Sequence, residues 1–391
     1  MIAPRTFASI NDRNVPVHRR EFLAMFTSTT FGLLALQFSD ISLSSPALAE
    51  AFYAAGYRDG KRREIDTVKY FLAVRKLSAK ETGLIPVQND VHSVVQNPKH
   101  LQMLVGVAKD QDQLTVFPSI SDFKDQVLVK ASLGMMFSGH GCFNHDGSIF
   151  VTSETDPKAE TGLLCIRDGR TLKVIDIIPS GGVYPHEIKF LDQDKVLAVA
   201  NGGFEFKNTN FCFIDMSTHK VIESHAPPKL GPGVRHFAMN DHGEFLAGSW
   251  SRYGNAESKA EPAAEMMFGK RGVQGKLSIS APDAELAKKF KGQASQYLSI
   301  LWHKPTNSVI ATVTSADVVV ISDMSSGKVK QVLQKKNPTG SAVCLDENLV
   351  VISDGGGKLQ FLDMKTLDWK HSLEIDGTKL TGSHMTIVHP V

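Results

Sequence analysis

The feature that most limits what this chain can fold into is a short pattern that recurs along it. A polar residue leads a brief apolar run, and a turn residue follows about six positions later. The pattern occurs in "VHSVVQNPKH", "GHGCFNHDGS", "PHEIKFLDQDK", "RHFAMNDHGE", "LSILWHKPTN", "GSAVCLDENL" and "SHMTIVHPV". The lead residues are His92, His140, His186, His236, Ser299, Ser341 and His384, at intervals of 48, 46, 50, 63, 42 and 43 residues. Further strand-like runs fill each interval; after Ser299 they are "SVIATVT", "VVVISDM" and "KVKQVLQ". The third run of a unit tends to end in an aspartate and a turn, as in "IRDGRTLK", "IDMSTHK", "SDMSSGK" and "LDMKTLD". Short β-rich runs separated by Gly, Asp, Ser and Asn read as antiparallel strands joined by tight turns. Four strands per unit of this length predict a β-propeller blade.

The two ends of the chain fit a closed ring. The last unit has only its first strand, "HMTIVHP", while "AFYAAGY", "KYFLAVRKL" and "GLIPV" precede His92. Pairing the C-terminal strand with these three completes a blade and removes two exposed sheet edges. The expected fold is therefore all-β, a seven-bladed propeller of the WD40 or YVTN kind, formed by residues 50–391 as a single domain.

"SGHGCFNHDGSIFVTSETD", "GVYPHEIKFLDQDKVLAVANGG" and "GVRHFAMNDHGEFLAGSW" resemble the DUF1513 family of exported bacterial proteins. The likeness covers nearly all of the chain after residue 49. It is most specific at the GHG, PHE, ANGG and RH elements. The first repeat departs from it, since "DVHSVV" lacks glycines around its histidine, and an insertion enlarges the unit between His236 and Ser299. The family has no assigned function. Its members are often encoded beside imelysin-like and di-haem peroxidase-like proteins, so the resemblance implies a link to iron by association. The partners it implies are periplasmic metal-uptake or redox proteins.

Residues 1–49 read as an export signal. Arg19 and Arg20 are followed by a short, weakly apolar stretch from Met25 to Leu36, and "SPALA" gives an A-x-A site ending at Ala49. The paired arginines point to the twin-arginine route and a periplasmic destination. No later run is long and apolar enough to span a bilayer. The 43 basic and 41 acidic residues nearly cancel and form no basic stripe, which argues against a nucleic-acid partner. The protein is expected to act as a monomer. Cys142, Cys165, Cys212 and Cys344 match no zinc or CxxC spacing and read as buried free thiols.

Five of the seven lead positions are histidine, although histidine is only 14 of 391 residues. In a propeller the lead residue begins the innermost strand, so equivalent residues ring one mouth of the central channel. His384, His92, His140, His186 and His236 lie in successive blades and are expected to form one arc, with Ser299 and Ser341 as an open sector. Crowded imidazoles repel when protonated, so their pKa values should fall, and a metal ion favours the neutral form. Imidazole suits iron, copper, zinc and nickel; iron or copper is the expected cofactor, held by three or four of the five. A ring of ordered channel water, or a small anion, would use the same residues.

Loops on that mouth are expected to bring Glu154, Asp156, Asn201, Glu205, Arg252 and Tyr253 near the histidines, while Glu187 and Arg235 flank two of them. Glu154, Glu187, Asn201 and Arg235 are the candidates for orienting the imidazoles. His145, off the register, carries no expected role. The methionine-rich "AEMMFGK" reads either as a lid or partner segment or as a loop packed on its own blade. No G-x-S-x-G or H-E-x-x-H motif is present, so no catalytic residue is named. Three functions stay open: a metal-acquisition or metal-handling protein, a metal-dependent oxidoreductase using the same site, and an interaction scaffold without metal.

Overall fold

The computed structural model describes residues 52–60, 68–156, 161–202, 209–227, 233–250, 266–273, 275–280, 297–344 and 348–389. The export signal, Glu205, Arg252 and Tyr253 lie outside them. In chain order, the first three strands are β1 (Phe52–Asp59), β2 (Lys69–Lys76) and β3 (Gly83–Val87). Two four-strand meanders follow. The first is β4 (Val91–Gln96), β5 (Leu104–Gln111), β6 (Gln113–Phe117) and β7 (Val127–Lys130). The second is β8 (Met136–Phe143), β9 (Ile149–Thr155), β10 (Gly162–Asp168) and β11 (Val174–Pro179). The third meander holds β12 (Pro185–Leu191), β13 (Val196–Asn201), β14 (Asn210–Asp215) and β15 (Lys220–Ala226). The next holds β16 (Gly233–Met239), β17 (Glu244–Trp250), β18 (Met266–Lys270) and β20 (Ser278–Ser280), with the two-residue β19 (Gly275–Lys276) adding to β15. Then come β21 (Tyr297–His303), β22 (Ser308–Val313), β23 (Val318–Asp323) and β24 (Val329–Gln334). The last meander is β25 (Pro338–Val343), β26 (Leu349–Asp354), β27 (Leu359–Asp363) and β28 (Asp368–Trp369), and β29 (Met385–Val388) ends the series.

The all-β expectation is met: helix among the described residues is limited to three short 3-10 turns. Strand β29 pairs antiparallel with β1, so the C-terminal strand joins the three N-terminal ones in one sheet, as the sequence predicts. No helix of the described residues is long and apolar enough to cross a membrane.

Why these runs form strands is visible in their burial. Middle strands such as β13 and β22 are buried at every position and read as unbroken apolar runs, because a neighbouring sheet covers each face. Outer strands β11 and β15 are mostly exposed. The repeated aspartates end the third strand with one turn used four times. Asp168, Asp215, Asp323 and Asp363 each accept bonds from groups two or three residues on, the Asx-type turn. Four residues after each aspartate stands a residue with positive φ, respectively Leu172, His219, Gly327 and Leu367.

Seven apolar clusters hold the sheets together, and each one joins two consecutive units. Val107 and Leu114 pack with Phe137 and Phe150; Val151 and Leu164 pack with Leu197 and Cys212; Phe211 and Phe213 pack with Phe237 and Phe245. The series continues through Met266 with Ile300, Ile310 with Val350, and Val351 with Tyr53 and Met385. It returns to its start through Phe52 and Val388 packed with Val91 and Leu104. The lead strands follow the same cycle: β4 packs on β8, β8 on β12, β12 on β16, β16 on β21, β21 on β25, β25 on β29 and β29 on β4.

The methionine-rich segment is neither lid nor loop. Met266–Lys270 is the third strand of its sheet, with Met266 facing one apolar cluster and Met267 the next. Period-two alternation places the two thioethers on opposite faces.

Candidate metal centre

Six of the seven lead strands carry a register irregularity at or beside the lead residue, and β29, after His384, pairs in unbroken register. The shifts fall between Val91 and Ser93, Phe137 and Gly141, Pro185 and Ile188, Val234 and His236, Tyr297 and Ser299, and Pro338 and Ser341. A β-bulge re-aims side chains out of the normal alternation and leaves backbone groups without ladder partners. Buried hydroxyls take up those groups. Ser93 donates to the Gly139 carbonyl at 2.7 Å. The Ser153 hydroxyl bridges the carbonyls of His140 (3.1 Å) and His186 (2.8 Å), tying together two adjacent lead strands. Thr312 and Ser353 act likewise on the strands of Ser299 and Ser341. Sequence reading missed these residues. Their signal is a hydroxyl 12 or 13 positions after the lead residue, at Ser153, Thr312 and Ser353.

Gly139 is required by the same geometry. Its φ is +109°, and a Cβ there would stand 2.5 Å from His92 Cδ2 and 3.2 Å from His186 Cε1. No other residue lets the two rings approach across the strand. Gly141 instead leaves room for the Phe150 ring, with a Cβ at 2.5 Å from it.

The five histidines do not form an open arc. They converge. His92, His186, His236 and His384 make a square of rings with edges of 5.2, 4.8, 4.7 and 4.8 Å between centroids. His140 touches all four, at 5.2, 4.5, 5.3 and 4.5 Å. An arc would hold its ends, His236 and His384, apart, but their rings are 4.7 Å from each other because the side chains point inward across the axis. The serine sector is closed, since Ser299 and Ser341 hydrogen-bond to each other at 2.7 Å.

The electrostatics keep these imidazoles neutral. Burial lowers every one of the five pKa values, and mutual repulsion lowers most of them further. His140 is brought down to about 3. Lys109, Lys189 and Arg235 add positive charge around the cluster. Four of the rings keep one nitrogen buried with no hydrogen-bond partner in the protein, Nε2 of His92, His140 and His384 and Nδ1 of His186, while Nδ1 of His236 faces Glu187 Oε2 at 3.5 Å. Buried polar atoms are rarely left so, and four in one place ask for a common partner.

The donor set and its spacing fit an ion. Candidate donor nitrogens of His92, His140, His186 and His236 lie within 4.8 Å of one another. Two nitrogens on opposite sides of one ion reach that separation at about 2.4 Å each, slightly beyond a usual metal–imidazole bond. His384 joins the four through its ring contacts.

The candidates for orienting these rings separate into two groups. Glu187 is at the cluster, its Oε2 3.5 Å from His236 Nδ1, while Oε2 also accepts from the Phe237 amide and Oε1 meets Lys189 at 2.8 Å. Burial alone would raise its pKa. Lys189 and the histidines outweigh this and hold the carboxyl well below its ordinary range. Arg235 is buried beside His236, its guanidinium over the Tyr184 ring at 5.3 Å. Glu154 and Asn201 are strand residues with other partners. Glu154 is fully buried and binds Arg167 at 2.8 Å, the Ser132 amide and the Thr152 hydroxyl. Asn201 bonds Asn210 on the next strand of its own sheet and Ser180, just past β11 of the preceding sheet. Asp156 follows β9 and bonds through its amide to Thr161. The four cysteines are free thiols, three of them buried.

Fold and site together define an all-β protein of antiparallel sheets in which histidines from four separate strands, His92, His140, His186 and His236, meet in a cluster able to hold a metal ion. The family model "Protein of unknown function (DUF1513)" matches residues 85–378, and the chain belongs to that family. No curated protein matches the chain.

Proposed function

We propose that this protein is a periplasmic, twin-arginine-exported, seven-bladed β-propeller that binds one transition-metal ion, iron or copper, in metal acquisition or handling. Its blades are the seven sheet units, and the support for the ring is the closed cycle of apolar clusters and lead-strand contacts. The single observation that carries the metal reading is the set of four buried imidazole nitrogens without protein partners, on His92, His140, His186 and His384. His92, His140, His186, His236 and His384 hold the ion, with Glu187 orienting His236. Glu187 offers a carboxylate at the second layer, the usual partner of a metal-bound histidine. Arg235 tunes the site by charge. Neutral imidazoles suit iron and copper among the ions such a donor set can hold.

Metal analysis of protein purified from the periplasm, under varied metal supply, tests the reading against a His140→Ala, His186→Ala double variant. About one ion per chain in the native protein and none in the variant is the expected result. Protein without stoichiometric metal under every supply overturns it and leaves channel water as the partner of the four nitrogens. Redox turnover by the metal-loaded protein would shift the assignment from handling to an oxidoreductase.

A further inference from the structure

A second site lies apart from the histidines and does not rest on the metal reading. The β5–β6 turn, the loop from β7 to β8 and the residues just before β4 enclose a cleft of about 620 Å³. That is within the ~300–1,000 Å³ of small-ligand sites. No histidine of the cluster lines it, and neither does any aromatic side chain. Its wall holds a buried polar atom without a partner. Asn89 is 2% exposed and its Oδ1 accepts from the Thr115 hydroxyl, but among the described residues its Nδ2 donates to nothing. A stranded donor of this kind costs about 1–3 kcal/mol, and an acceptor on a ligand in the cleft would satisfy it.

The other groups of the cleft narrow the chemistry. Gln88, Gln111 and Gln113 bring three more carboxamides. Gln111 Oε1 accepts from the Asp90 amide at 2.7 Å, which leaves its Nε2 as a donor. Asp110 is already held by Lys109 Nζ and the Tyr184 hydroxyl, each at 2.6 Å. Asp112 and Lys130 are both exposed. A phosphate-like anion would meet one ammonium against two carboxylates, so its charge is opposed. Among the described residues no group with metal-ligand spacing includes Asp110 or Asp112. One side of the cleft is apolar. The Met135 amide donates to the Ser132 carbonyl at 2.9 Å and Gly134 has φ of +79°, so Leu133 and Gly134 are the corners of a β-turn. Leu133 is fully exposed at this tip, with Met135 and Met136 beside it. Turn corners favour polar residues, Gly or Pro, whereas flexible thioethers suit an adaptable contact surface.

We infer that this cleft binds a short extended peptide, with Asn89 donating to a peptide carbonyl and Leu133, Met135 and Met136 covering an aliphatic side chain. A peptide backbone alternates donors and acceptors, and side-chain carboxamides offer both. Asp112 and Lys130 supply opposite charges for the ammonium and carboxylate ends of a free peptide. The same backbone recognition serves an exposed segment of another protein, which brings no chain ends, and there the two charges contribute nothing.

The test uses the mature protein with isotope-labelled methionine methyl groups, titrated in the NMR spectrometer with the tripeptide Ala-Leu-Ala and with its N-acetylated, C-amidated form. Saturable shifts of the Met135 and Met136 signals, with those of Met266 and Met267 unmoved, are the expected result. Asn89→Leu should weaken binding about tenfold, with chemical denaturation showing whether the variant is folded. Leu133→Ser changes a fully exposed side chain, leaves the core intact and should weaken binding as well. Preference for the free tripeptide, lost in Asp112→Asn and Lys130→Met, assigns free peptides as the ligand. Equal binding of the two probes, indifferent to those two changes, assigns a segment of another protein. Methyl signals that stay fixed with both probes at millimolar concentration overturn the inference. Binding that is unchanged in folded Asn89→Leu and in Leu133→Ser overturns it too.

Discussion

Replacing Gly139 by alanine tests the histidine geometry at its tightest point. The new Cβ would lie 2.5 Å from His92 Cδ2, so the ring must retreat by about 1 Å to reach ordinary contact, and His186 Cε1 at 3.2 Å must also yield. Backbone strain adds to this, because φ of +109° is open to glycine and costs an L-residue on the order of 1–3 kcal/mol. Displacing one ligand ring should lower metal affinity about 10- to 100-fold, the range seen when support of a ligand is lost. Gly141→Ala is the matched control. Its Cβ meets the Phe150 ring at 2.5 Å and no histidine, so it overpacks the core by about 1–3 kcal/mol and leaves the ligands in place. Chemical denaturation gives the stability of each metal-free variant, and competition with a chromophoric chelator gives metal affinity of the folded protein. Both variants should lose stability, and only Gly139→Ala should lose affinity. Wild-type affinity in Gly139→Ala would refute the claim that this glycine exists to let His92 and His186 meet.

Other perturbations follow from the same contacts. The folded-state pKa values of the five histidines lie below the unfolded value of 6.5, so the folded protein binds fewer protons. Stability of the metal-free protein should therefore decline as pH falls from about 6.5 towards the folded values, by up to about 1.4 kcal/mol per pH unit for each histidine. Denaturation midpoints that stay flat between pH 7 and 5 would contradict this. Ser153→Ala strands the bulge carbonyls of His140 and His186 and should cost about 1–3 kcal/mol, with a measurable fall in metal affinity. Arg167→Met leaves Glu154 charged and unpaired in the core, at a cost of about 3–5 kcal/mol, yet metal bound per folded molecule should match wild type. A selective loss of metal in that variant would return Glu154 to the site.

Much of the architecture is legible in the chain because repetition is a one-dimensional signal. The spacing of lead residues, the Asp-turn motif and the complementary ends each follow from local chemistry: alternating or continuous apolar runs make strands, and an aspartate bonding forward makes a turn. The identity of the five histidines is legible for the same reason, since equivalent positions in a repeat occupy equivalent places. Glu154 and Asn201 misled the reading because a polar residue near a strand end looks the same whether it faces a channel or a buried partner. Met266 and Met267 misled it because the insertion before them hides the strand period.

What the sequence alone determined is thus the strand-rich unit and the residues at its head. What only the tertiary structure decided is where those heads point. A bulge beside His92, His140, His186 and His236 turns these imidazoles out of the alternation that the strand period would impose, and neither its position nor its effect is written in the composition of the strand. Gly139 and the bridging hydroxyl of Ser153 then fix the distances. The meeting of the five rings is a property of the closed cycle, because only closure brings His236 back to His384.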